Sequence, residues 1–203
     1  MKALQFWFEF GSTYSYPASM RIEQLAADKG IRIEWKAFLL GPIFNAQGWN
    51  DSPFNIYPAK GNYMWRDMER VCLSTGIPFR RPSRFPRNGI LAARIACMHA
   101  GAPWIAGFVK AVYAANFAHD LDITDTAVIG QCLAGVGQDP AIVIEQAQSP
   151  ESKSRLRAQC DEAVALGIFG APFFVTGREL FWGNDRLEQA IACCADGGIQ
   201  PHQ

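Results

Sequence analysis

Ser12 is the residue best placed to do chemistry. It lies in Phe10-Gly11-Ser12-Thr13-Tyr14-Ser15-Tyr16-Pro17, between a run of alternating apolar residues and a segment of helical spacing. Where a strand ends and a helix begins, free N–H groups and the helix dipole stabilise negative charge. A hydroxyl there can donate a hydrogen bond to a thiolate, and a thiol at a helix N-terminus loses its proton more readily. The same hydroxyl has a plainer use as a helix N-cap. Two later segments bear on the choice. In Gly167-Ile168-Phe169-Gly170-Ala171-Pro172-Phe173-Phe174, a proline directly before a strand suggests a cis peptide. Such a turn exposes the backbone N–H and C=O of Ala171 to an extended peptide ligand; a trans proline at a strand start is the other reading. In Phe181-Trp182-Gly183-Asn184-Asp185-Arg186-Leu187, Asn184 and Asp185 open the last helix. Asp185 can cap that helix, face a ligand amine, or do both.

Other chemistries find little support. The six cysteines, Cys72, Cys97, Cys132, Cys160, Cys193 and Cys194, include no Cys-x-x-Cys pair, which argues against a redox dithiol or a zinc ribbon. Buried free thiols are the expectation, with redox activity of the adjacent Cys193 and Cys194 a minor alternative. His99, His119 and His202 are scattered without metal-ligand spacing, so no metal is expected. No Gly-x-Ser-x-Gly elbow surrounds Ser12, against a serine hydrolase. A formal net charge of +0 argues against nucleic acid as a partner. No run is long and apolar enough to cross a membrane, and the first residues read as a strand, not a signal peptide. A cytoplasmic protein is the expectation.

The elements that must position Ser12 are legible in the periodicity. Leu4, Phe6, Phe8 and Phe10 alternate with Gln5, Trp7 and Glu9, which predicts a strand. Ala18, Ile22, Leu25 and Ala26 mark a helix face, with Pro17 in the first turn and Gly30 at the end. Ile31, Ile33, Trp35 and Ala37 mark a second strand, parallel to the first. Residues 39–61, rich in Pro, Gly and Asn, read as a long functional loop. Helices are expected around Met64, Met68 and Val71, ending at Gly76; around Leu91, Ile95 and Met98; around Trp104, Phe108 and Val112; after the Asp139-Pro140 cap; and through Leu156, Cys160, Ala163 and Val164 to Gly167. Between them, residues 77–88 read as an extended connector whose arginines are solvated, with an anionic ligand as the lesser alternative. Phe173–Thr176, the Gly177-Arg178 turn and Glu179–Trp182 predict a hairpin. Asp185-x-x-Glu188 resembles a capping box before a last helix through Leu187, Ala190, Ile191 and Cys194.

This order, β-α-β, helices, then β-β-α, predicts an α/β chain with a thioredoxin-like fold interrupted by a large all-helical insertion. Residues 1–61 and 167–203 are the expected thioredoxin-like domain and 62–166 the helical insertion domain. The segments 6–16, Tyr57-Pro58-Ala59-Lys60-Gly61-Asn62-Tyr63-Met64, Phe169-Gly170-Ala171-Pro172 and Trp182-Gly183-Asn184-Asp185-Arg186-Leu187, taken in order, resemble the 2-hydroxychromene-2-carboxylate isomerases and the kappa-class glutathione transferases, of the DsbA-like branch. The resemblance covers nearly the whole chain.

The resemblance implies glutathione as cofactor, with Ser12 in place of the nucleophilic cysteine of disulfide oxidoreductases and hydrogen-bonded to the glutathione sulfur. Thr13 and Tyr14 line the same pocket. Ala171 supplies backbone hydrogen bonds ahead of a cis Pro172. Asn184 and Asp185 hold the γ-glutamyl end with Arg186 close by, Lys60 meets a glutathione carboxylate, and Asn50 contributes from the 41–55 loop. The Trp-Gly-Asn-Asp-Arg-Leu form is closer to the bacterial isomerases than to the kappa transferases. One departure is Gly11-Ser12-Thr13 where family members often have Leu-Ser-Pro. The implied activity interconverts 2-hydroxychromene-2-carboxylate and trans-o-hydroxybenzylidenepyruvate-type compounds in aromatic degradation. The partner is then a small aromatic carboxylate, met by Lys36, Lys60 or an arginine of 80–87, and the assembly a homodimer. The alternatives are a kappa-like transferase or peroxidase, or a non-catalytic thioredoxin-like binding protein.

Overall fold

The computed structural model describes residues 2–198, so His202 lies outside the described residues. Strand β1 (Ala3–Phe8) leads into helix α1 (Ser15–Ala27) and strand β2 (Arg32–Ala37). Helices α2 (Leu40–Ala46), α3 (Pro53–Ile56), α4 (Pro58–Thr75), α5 (Ile90–Met98), α6 (Ile105–Phe117), α7 (Thr126–Ala134), α8 (Pro140–Gln148) and α9 (Pro150–Ala165) follow. Strands β3 (Phe173–Thr176) and β4 (Glu179–Trp182), a 3-10 turn (Asn184–Arg186) and helix α10 (Leu187–Asp196) complete the fold.

The sheet has four strands in the order β2-β1-β3-β4. β1 runs parallel to β2, with Ala3 opposite Arg32 and Phe8 opposite Ala37, which requires the α1 crossover. It runs antiparallel to β3, with Phe6 opposite Phe174. As an interior strand β1 is covered on both faces, so Leu4, Phe6 and Phe8 on one side and Trp7 on the other are all fully buried. Phe6 stacks on Phe174 at 5.5 Å and meets Trp35 edge-on at 5.4 Å. Burying one such ring stabilises the fold by roughly 1.5–3 kcal/mol. The hairpin from β3 to β4 forms at Gly177, where φ of 59° suits glycine. Among the described residues no helix is long and apolar enough to cross a membrane.

Four expectations are corrected. Residues 39–61 are not a loop throughout: they hold α2, α3 and the start of α4. The prolines there start helices, Pro53 behind a Ser52 cap and Pro58 at the first turn of α4, where a missing N–H costs nothing. The arginines of the 77–88 connector are not all solvated. Arg87 is buried and donates to the Asn116 side chain at 3.0 Å, and it pairs with Asp120. Asp185 does not cap the last helix, whose N-cap Arg186 makes no side-chain cap bond. Val164, placed on an apolar helix face by its spacing, is 57% exposed. Helix α7, capped by Asp125, has no separate signal in the periodicity. Cys72, Cys97, Cys132, Cys160 and Cys194 are free thiols, and all six cysteines but Cys97 are buried. Burial pushes the Cys72 thiol up to about 11.

Candidate active site

β1 ends at Phe8 and α1 begins at Ser15, so residues 9–14 form the turn that carries Ser12. The Ser12 N–H donates to the Glu9 carbonyl at 2.9 Å. Helix α6 fixes this turn with two buried polar side chains. The Tyr113 hydroxyl donates to the Glu9 carbonyl at 2.8 Å, and the Asn116 amide to the Phe10 carbonyl at 3.1 Å. Arg87 in turn grips Asn116, so the connector reaches the turn through one intermediate residue. Backbone also packs closely here. A Cβ on Gly89 would sit 2.6 Å from the Phe10 Cβ, and one on Gly11 3.1 Å from the Arg87 carbonyl.

The Ser12 hydroxyl donates to the Ala171 carbonyl at 3.0 Å. It also receives a long contact from the Ser15 N–H at 3.4 Å, a marginal cap. Its main partner is therefore 159 residues away, across the site. The Ala171–Pro172 peptide is cis, as its sequence setting suggests; Phe85–Pro86 is also cis. The Pro172 carbonyl accepts the Gly183 N–H at 3.0 Å, which brings the segment of Asn184 and Asp185 beside the Ala171 loop.

The remaining expected site residues divide. Thr13 is buried to 1% and its hydroxyl meets the Met64 sulfur at 3.1 Å, so it supports the turn from behind and does not line a surface. The Tyr14 hydroxyl donates to Asp67 at 2.9 Å. Burial, then the Asp67 carboxylate, with lesser effects of Tyr63 and Asp185, hold this phenol neutral well above its ordinary range. Met64 and Asp67 share one face of α4, and Lys60 lies one turn earlier on that face. Lys60 is exposed, with its ammonium 4.9 Å from the centre of the Tyr57 ring. Asn50 is exposed in the segment between α2 and α3, next to Trp49, whose ring meets Tyr57 at 6.5 Å. Asp185 presents a side chain that is 75% exposed, with Arg186 at 3.7 Å. Asn184 faces inward: it is 7% exposed and its side-chain oxygen accepts from Arg21 at 3.0 Å. Its place is to brace the Asp185 turn against α1. Lys36 is engaged by Glu162 at 3.2 Å and lies over the Trp7 ring.

One site residue escaped the sequence reading. The alternation of residues 4–10 predicts Glu9 only as the polar partner in a strand. Its carboxyl accepts the Gly11 N–H at 2.9 Å, directly beside Ser12. Burial pushes it up to about 7, against the opposing pull of the Gly11 and Ser12 N–H groups. The available signal was a lone acid inside Phe6-Trp7-Phe8-Glu9-Phe10. Chemically, the corner offers a hydroxyl, a helix N-terminus and a backbone edge at Ala171 to an anionic, peptide-like group.

The chain matches the model of the DSBA-like thioredoxin domain over residues 3–191. It is 30% identical, over 92% of its length and 95% of the relative's, to a 2-hydroxychromene-2-carboxylate isomerase of Sphingobium xenophagum. It is 26% identical, over 96% of its length and 92% of the relative's, to glutathione S-transferase kappa 2 of Caenorhabditis elegans. A solved structure of 2-hydroxychromene-2-carboxylate isomerase superposes with a TM-score of 0.81 at 27% identity, covering 94% of this chain and 93% of that one. By sequence and by fold, the chain belongs to the DsbA-like thioredoxin family and, within it, to the family of the 2-hydroxychromene-2-carboxylate isomerases.

Proposed function

We propose that the protein is a glutathione-dependent isomerase interconverting 2-hydroxychromene-2-carboxylate and its open-chain trans-o-hydroxybenzylidenepyruvate form. The observation that carries this reading is the Ser12 hydroxyl facing Ala171 ahead of the cis Pro172, at the start of α1. It supports the reading because the donor set fits each part of the tripeptide. Among the described residues no protein acceptor takes the Ala171 N–H, which leaves it for a peptide carbonyl. The exposed Asp185 carboxylate suits the γ-glutamyl ammonium, and exposed Lys60 a glutathione carboxylate. Thr13 and Asn184 act from behind, and Tyr14, Asn50 and Arg186 border the same corner.

Glutathione held by Ser12, Ala171, Asp185 and Lys60 would supply a thiolate suited to reversible addition to the conjugated double bond, which is what an isomerisation by bond rotation requires. Ser12 stabilises that anion by turning its proton from the Ala171 carbonyl, an exchange of one hydrogen bond for a charge-assisted one. Tyr14, held neutral beside Asp67, remains a hydrogen-bond donor throughout the physiological range. The thioredoxin-like part, 1–61 and 167–203, holds the cofactor, while the helical part, 62–166, contributes the wall for the aromatic carboxylate. The test is the fate of the thiol in an isomerisation assay: an isomerase leaves total glutathione constant. Stoichiometric consumption favours transferase activity instead, the activity named for the kappa relative.

A further inference from the structure

The turn that would receive the thiolate already contains an acid. The Glu9 carboxyl accepts the Gly11 N–H at 2.9 Å, and the Glu9 carbonyl accepts the Ser12 N–H at 2.9 Å. One residue thus holds both N–H groups at the mouth of the turn. Glu9 is half-buried, and its carboxyl group is held against the turn by the Gly11 N–H. None of the ion pairs among the described residues includes it. Burial raises its proton affinity to about 7, so near neutral pH it stands between its two states.

Its ionisable surroundings are few. From α6, Tyr113 is kept neutral by burial and by Glu9 itself. From the connector, Arg87 closes its backbone carbonyl over Gly11, while its guanidinium is bound to Asn116 and Asp120. From α4 and the 183–185 segment, Asp67 and Asp185 face Tyr14. Among the described residues no cation pairs with Glu9 to offset a second negative charge at this turn. Two anions sharing one site cannot both form at low cost, so one of them takes a proton.

We infer that Glu9 is a positioning residue that holds the charge of this corner constant, its carboxylate taking up the proton that a docking thiol gives up. The S–H bond breaks, the sulfur keeps the electron pair, and an O–H bond forms on Glu9. The balance is the same whether the proton moves directly or through solvent. The inference rests on the reading of Ser12 as the glutathione corner.

The test counts protons. Reduced glutathione is titrated calorimetrically into the protein in buffers of different ionisation enthalpy, at two pH values. At about pH 6 Glu9 is already protonated, and docking as thiolate releases about one proton per glutathione. At about pH 7.5 Glu9 absorbs part of that proton, and net release falls clearly below one. In Glu9→Gln, which keeps an oxygen for the Gly11 N–H, release stays near one at both pH values. The ultraviolet thiolate signal of its bound glutathione then appears at lower pH than in the wild type. Binding with a release near one at both pH values in the wild type would overturn the inference and leave the glutathione corner standing. No binding of glutathione at either pH would overturn both. The wild-type comparison decides the matter alone if Glu9→Gln does not fold.

Discussion

At the scale of single residues, the Ser12 hydroxyl has two possible audiences. In the structure its proton goes to the Ala171 carbonyl, while its oxygen takes only a long 3.4 Å contact from the Ser15 N–H of its own helix. Removing it therefore costs little stability, because a lone neutral hydrogen bond contributes about 1 kcal/mol. Removing it from a site that stabilises a developing or fixed anion costs far more in rate, of the order of a hundredfold. Ser12→Ala is expected to keep its urea midpoint within about 1 kcal/mol of the wild type and to lose about two orders of magnitude in isomerisation. Equal activity would separate Ser12 from the chemistry. Glu9 makes a second expectation. Its affinity for a proton is raised in the folded state, so the folded protein holds more protons than the unfolded chain between about pH 4.5 and 7. Stability must then fall as pH rises through that window, by about 3 kcal/mol from this one group. Below the window the penalty is absent; above it the penalty is complete. Glu9→Gln is expected to remove this part of the slope in denaturation curves taken at about pH 5 and 8.

At the scale of elements, the Ser12 turn is held less by its own strand and helix than by α6 and the connector behind it. Tyr113 and Asn116 hold two consecutive carbonyls of the turn, and Arg87 holds Asn116 and Asp120. The Asp120 carboxyl is drawn down to about 2 by the Ser83 N–H, then by Arg87. Its contribution is complete above the ordinary aspartate range and is lost as pH falls toward 2. Arg87→Ala leaves the buried Asn116 side-chain oxygen without its donor, while Asp120 keeps Ser83, and is expected to destabilise the fold by about 1–3 kcal/mol, read from the urea midpoint. Glutathione affinity should drop with it, since the turn loses its brace. Little of this latch is legible in the sequence. Arg87 stands among Arg80, Arg81 and Arg84, and nothing local tells it from its solvated neighbours. Its partners are 29 and 33 residues away. Helices α2 and α3 were hidden for a different reason: their prolines and asparagines serve equally in loops and at helix starts, and only the Ser52 cap tells which.

At the scale of the whole molecule, the strands and the hairpin were readable because the sheet imposes period two on Leu4, Phe6 and Phe8 and a glycine on the β3–β4 turn. The parallel β1–β2 pair and antiparallel β3 then bring Ser12 and Ala171 together from opposite ends of the chain. That meeting was legible only as an order of elements; the hydrogen bond itself, and the inward turn of Asn184 to Arg21, needed coordinates. The measurement closest to the central claim is turnover of 2-hydroxychromene-2-carboxylate with glutathione omitted, then supplied in amounts far below substrate. The account expects turnover only with the thiol present, many substrate molecules converted per glutathione, and the free thiol recovered intact at the end. Conversion that proceeds equally without glutathione, or that stops when one equivalent has been consumed, would contradict it.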